Sequence, residues 1–180
     1  MSEATYDVVL LIEQPLSRQD AVQVRGLHED VEEHVRYHVL LPVEDAAARV
    51  ESAMGSLAAS EVLASPALVM DDMNLEDVQR ELLDRAREDL TGCLKRLTDA
   101  GADAVGEIVS VDPIDALASK VAALDGREAI ILTRPHVVAE FFHMDWTSRA
   151  RRKIGVPVLH LLEHESFDEQ AGGGEGATGM

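Results

Sequence analysis

Thr147, Ser148, Arg149 and Arg152 are the residues of this chain best suited to holding an anion. On a helix Arg149 and Arg152 lie three apart and share a face beside the two hydroxyls. Arg151 and Lys153, the rest of the basic run, fall elsewhere on the circumference, so the four cations cannot converge on one ligand. A helix dipole also favours cations in its last turn, which makes a solvated helix end the simpler reading. Pairing with acidic surface on another subunit is a third reading. A metal reading attaches to His136, Glu140, His143 and Asp145, of which Glu140 and His143 could share a helical face. Zinc needs three or four ligands in tetrahedral geometry with support behind them, and nothing in this spacing enforces that. The segment Val137 to Met144 is read instead as a partly apolar helix with Phe141 and Phe142 docked on a sheet, and no metal is expected. Cys93 sits among Leu90, Leu94 and Leu97, a setting for a buried thiol rather than a nucleophile. His28, His34, His38, His160 and His164 read as strand-edge and surface residues. No Ser-His-Asp order or paired-carboxylate arrangement stands out, and no enzyme is predicted.

The elements that must position these residues alternate in type. Tyr6 to Ile12 is a continuous apolar run of the kind buried on both faces of a parallel sheet. Ser17 with Asp20 starts a short helix to about His28. Val35 to Val43 is a second strand. Asp45 caps a helix marked by Val50, Met54 and Leu57, which Ser65 and Pro66 break, and Ala67 to Met73 is a loop. Asn74 opens a long helix striped by Leu83, Leu90, Leu94 and Leu97, with Gly101 as its left-handed end. Val105 to Val111 is a third strand, and Asp112 and Pro113 begin a helix to Leu124 closed by Gly126. Ile130 to Thr133 is the fourth strand, Trp146 or Thr147 to Ile154 the last helix, and Val156 to Leu162 the fifth strand. This order predicts an α/β fold, a three-layer α/β/α sandwich on a five-stranded, mostly parallel sheet. Residues 1–164 form one domain with a helical insertion at about 45–73. Residues 165–180 are Gly-rich and acidic and read as a disordered tail.

Composition narrows the function. The chain has 180 residues, 46% of them apolar but only 3% aromatic, so its core must be aliphatic. A formal charge of −18 argues against nucleic-acid and anionic-membrane binding, which need clustered Lys and Arg. The single cysteine suits a reducing cytoplasm. The opening MSEATYD lacks a signal-peptide pattern, and no apolar run approaches the roughly 20 residues that span a bilayer. A cytoplasmic protein is expected. Between Gly126 and Gly155 there is no glycine, although that stretch lies where doubly wound domains keep their ligand. A phosphate-cradling turn presents backbone N–H groups at close range, which glycine permits.

Three local patterns, in this order, resemble the universal stress protein family. They are the opening strand VVLLIEQPLS, the segment GADAVGEIVSVDPIDALASKVAAL, and the close IGVPVLHLL. The resemblance covers most of residues 6–162 and implies the family's fold, one of the adenine nucleotide alpha hydrolase-like group. Many members bind ATP through Gly-x2-Gly-x9-Gly-Ser/Thr after the fourth strand. Here the corresponding residues run Thr133, Arg134, Pro135, His136 to Trp146, Thr147, Ser148. None of those glycines is present, Pro135 removes a donor, and Glu13 stands where the family has a strand-end aspartate. The resemblance therefore implies a divergent regulatory or binding module that does not bind ATP in the family manner and needs no cofactor. The alternative keeps ATP or AMP with Mg, or another small anion, on Glu13, Thr133, Arg134, Thr147, Ser148, Arg149 and Arg152. By resemblance, a homodimer through Val156 to Leu162 is expected, with a partner protein as a further candidate.

Overall fold

Val8 to Ile12 are five consecutive apolar residues, and none of them reaches solvent. A strand covered on both sides in this way belongs at the centre of a parallel sheet. The computed structural model describes residues 5–43, 75–133 and 142–162. It places this strand, β1 (Thr5–Ile12), between β2 (His34–Pro42) and β4 (Glu128–Thr133). β3 (Asp103–Val109) flanks β2 and β5 (Val158–Leu162) flanks β4, in the order β3-β2-β1-β4-β5. Every pairing is parallel, including Val8 with both Tyr37 and Glu128. The three-layer, five-stranded expectation holds.

Alternation along β1 separates two cores. Val8, Leu10 and Ile12 pack with Val24 of α1 (Arg18–Gly26) and with Leu90, Cys93 and Leu97 of α2 (Leu75–Asp99). Val9 and Leu11 pack with Ile114, Leu117 and Val121 of α3 (Pro113–Leu124) and with Ala150 of α4 (Phe142–Lys153). Cys93 is buried as expected, its Sγ accepting the Leu16 N–H at 3.2 Å. No helix among the described residues is long and apolar enough to cross a membrane.

The helix starts follow the local chemistry read from the sequence. Ser17 Oγ accepts from the Asp20 N–H at 3.1 Å, while Asp20 Oδ2 accepts from the Ser17 N–H at 2.7 Å. Asp112 Oδ1 accepts from the amides of Ile114 and Asp115, each cap of this type contributing about 1 kcal/mol. Several boundaries move, including that of β4, which begins at Glu128 rather than Ile130. β3 begins at Asp103 and ends at Val109, because its register runs from Arg36 with Asp103 to Pro42 with Val109 and leaves Val111 outside, 67% exposed. α3 is closed by Asp125, at φ 51° and ψ 42°, rather than by Gly126; aspartate tolerates the left-handed region through its short polar side chain. α4 starts at Phe142, upstream of Trp146, there being no Gly or Pro between them to break it. β5 starts at Val158, since Pro157 has no N–H for the ladder and supplies only its carbonyl, to Ala129 at 2.9 Å. The insertion, Asn74, the Val137 to Phe141 part of the apolar helix and the acidic tail lie outside the described residues.

Candidate functional site

The chain leaves β1 towards β2 on one side and reaches β4 on the other, so a crevice opens outside the carboxyl ends of β1 and β4. Glu13 is the first residue beyond β1. Its N–H donates to Leu132 O at 3.1 Å, which carries the β1·β4 ladder one step further and fixes the residue at the mouth. From there a cavity of about 400 Å³ extends beneath α2 and past the end of β2, a size that suits a small organic ligand. Leu41, Leu82 and Ala86 give it an apolar floor, with Pro15, Pro42 and Val43 at the sides. Glu13, Gln14, Arg85 and Asp89 supply its polar groups.

Among the described residues, the other expected site residues do not gather around Glu13. Thr133 closes β4 but is buried, and its hydroxyl shares a 2.7 Å hydrogen bond with His160 Nε2 of the neighbouring strand. Arg149 donates to Asp112 Oδ2 at 3.0 Å, and Lys153 to Asp115 Oδ1 at 2.5 Å. Arg152 Nε donates to Ser148 O of its own helix at 3.2 Å. The basic run thus serves the acidic start of α3, on the face of the sheet opposite the α2 cavity. Burial pushes the Asp112 carboxyl up, but the Arg149 guanidinium and the two capping amides outweigh it and hold the group below the usual carboxylate range. Arg134 and the side chain of Thr147 lie outside the described residues. No group of three or more metal-binding side chains occurs among the described residues.

Sequence reasoning missed two features. Arg85 and Asp89 line the cavity, yet their i,i+4 spacing is that of the exposed pair Lys95–Asp99 on α2, so only Leu82 and Ala86, one helical turn apart, hint at a covered face. His28 and His38, read as edge and surface residues, are buried. His38 meets Asp7 at 2.7 Å. His28 Nδ1 lies 2.8 Å from the Tyr37 hydroxyl and Nε2 lies 2.7 Å from Glu128 Oε1. Tyr37 gives its single proton to Val24 O at 3.2 Å, so the Nδ1 of His28 is the donor to its oxygen. This network lies at the opposite, amino-terminal end of the strands, and His34 and Arg36 both hold Asp103 nearby, drawing its carboxyl below the usual range.

No protein-family model and no curated protein sequence matches the chain. Solved structures do. Universal stress protein UspA from Lactobacillus plantarum superposes with a TM-score of 0.54 at 13% identity, over 88% of this chain and 99% of that one. The universal stress protein from Archaeoglobus fulgidus gives 0.53 at 14% identity, over 86% and 91%. Its complex with dAMP gives 0.51 at 13% identity, over 86% and 95%. With the strand order, the two flanking helix layers and these superpositions together, the chain has the universal stress protein fold.

Proposed function

We propose that this chain is a regulatory binding module of the universal-stress type that takes a small ligand in the β1–β2–α2 cavity and does not hold ATP in the family manner. It acts without a catalytic role or a cofactor, in the cytoplasm, as a homodimer joined along β5. The observation that carries this reading is the engagement of Arg149 and Lys153 with Asp112 and Asp115, which commits two cations of the basic run to carboxylates of α3. The segment from Thr133 also lacks the glycines that would bring amides to a phosphate. The Archaeoglobus fulgidus protein of this fold forms a complex with dAMP, which supports a small-ligand role for such a scaffold. An anion sensor built on Arg134, Thr147, Ser148 and Arg149 would have to break the Arg149 pair first.

Thermal unfolding with ATP, AMP and magnesium tests the reading. A ligand at 100 times its Kd stabilises a fold by about 2.7 kcal/mol, so true binding at millimolar nucleotide is readily seen. No shift is expected; a clear rise in Tm overturns the proposal. For the dimer, small-angle scattering at micromolar concentration is expected to give twice the mass of one chain. A single-chain mass would remove β5 as an interface.

A further inference from the structure

We propose that His28 is held as an imidazolium and that this buried proton is a catch on the end of α1. The assignment is a proton count over the hydrogen bonds of the network. Tyr37 has one hydroxyl proton, given to Val24 O at 3.2 Å, so Nδ1 of His28 carries the hydrogen that meets the Tyr37 oxygen at 2.8 Å. Nε2 stands 2.7 Å from Glu128 Oε1, and an ionised carboxylate can only accept. That contact needs a hydrogen on Nε2 as well, and an imidazole protonated at both nitrogens is a cation. The other carboxylate oxygen accepts from the Tyr6 hydroxyl at 3.3 Å, which keeps Glu128 the negative partner. Burial disfavours a charge on His28, only 4% exposed, and the charge-assisted bond to Glu128 offsets that cost.

The groups around the imidazole come from four elements. Tyr6 of β1 and Tyr37 of β2 set their rings 5.9 and 5.4 Å from it, and Glu128 comes from β4. Arg25 of α1 acts on Tyr37, Arg127 lies over the Tyr6 ring, and Glu33, just before β2, acts on Tyr6. His38 and Asp7 pair on the other face of the sheet. Loss of the Nε2 hydrogen would set two lone pairs against each other at 2.7 Å. The network relieves this when the remaining hydrogen moves to Nε2 and Tyr37 turns its own proton from Val24 O to Nδ1. Val24 O, in the last turn of α1, then loses its partner, and the helix end is no longer fastened to β2 there.

Nitrogen NMR of the histidines in the full chain tests this. At about pH 7.5 a free imidazole is largely neutral, whereas His28 is expected to show both nitrogens protonated. As pH rises further, loss of that signature should coincide with at least a tenfold fall in amide-exchange protection at Leu27 and His28, which bond back to Gln23 O and Arg25 O. Glu128→Gln removes the partner's charge and should show a neutral His28 with the same loss of protection at about pH 7.5. Thermal unfolding confirms that this variant folds, and the titration of the parent chain stands without it. Glu33→Gln removes an exposed negative charge nearby and should leave both readings unchanged. A neutral His28 in the parent chain at about pH 7.5 overturns the proposal, since Tyr37 then already donates to Nδ1. Proton loss without a fall in protection overturns it too, by showing that the charge fastens nothing. An imidazolium retained in Glu128→Gln, or lost equally in Glu33→Gln, would assign the proton to the net charge of −18 and not to this pair.

Discussion

Tyr37→Phe is expected to lower stability by about 2 kcal/mol at neutral pH, although it removes a single oxygen. Tyr37 is wholly buried, and its hydroxyl has two partners. One is Val24 O, a carbonyl in the last turn of α1 that has no partner further along the helix. The other is the Nδ1 donor of His28, itself buried and tied at its far nitrogen to Glu128. Removing the oxygen leaves both groups unpaired away from water, and each orphaned group costs about 1–3 kcal/mol before relaxation. Urea unfolding of the two proteins measures the difference, and equal midpoints would show that the network contributes nothing.

The same residue gives an alkaline signature. Burial, foremost, pushes the Tyr37 hydroxyl up from 10 to about 12, with Arg25 opposing and Glu128 adding to the rise. Above pH 10 the unfolded chain releases this proton while the native state keeps it. Stability therefore falls as pH rises from about 10 to about 12, by about 2–3 kcal/mol in all. Tyr37→Phe should lack that part of the decline. Tyr6, raised by burial and then by Glu128, contributes alike in both proteins.

Gly106→Val should cost about 3 kcal/mol and lower the Tm by about 6–12 °C, at the upper end of what overpacking does. A Cβ at Gly106 would stand 2.7 Å from Leu90 Cδ1, 3.2 Å from Val39 O and 3.3 Å from Leu94 Cδ2. Leu90 is a core residue and Val39 O is backbone of the adjoining strand, so neither can yield far. The glycine is what lets α2 lie close over the β3 edge, and valine's strand propensity cannot compensate for the clash. Gly26→Ala at the end of α1 is the contrast: nothing lies within 4 Å of its Cβ, and a gain of about 0.5 kcal/mol is expected. Calorimetric melts of the pair would show opposite signs; a neutral Gly106→Val would mean that α2 can simply lift away.

What was readable in the sequence follows how local each determinant is. The central strand announces itself because five adjacent apolar residues are buried together, and the caps because Ser17 and Asp112 bond to amides two or three residues on. β3 was misplaced because only Val109 of its seven residues is buried, so its ends are set by its pairing with β2 rather than by its own pattern. The basic run was visible as charge, but its partners Asp112 and Asp115 stand 37 and 38 positions away. His28 looked like a surface residue because Glu128, its partner, is 100 positions distant. The cavity was invisible for the same reason: Glu13 and Asp89 come from separate elements, and nothing in either segment names the other.

The central place of β1 also constrains how the protein is made. Its first edge is satisfied early, by β2, but Leu10 finds its other partner only in Ile130. On a ribosome, the most apolar strand of the sheet therefore waits with one row of N–H and C=O groups open until residues 128–133 have emerged. A chain stalled or cut before that point presents the sticky, strand-templating edge that the finished fold hides completely.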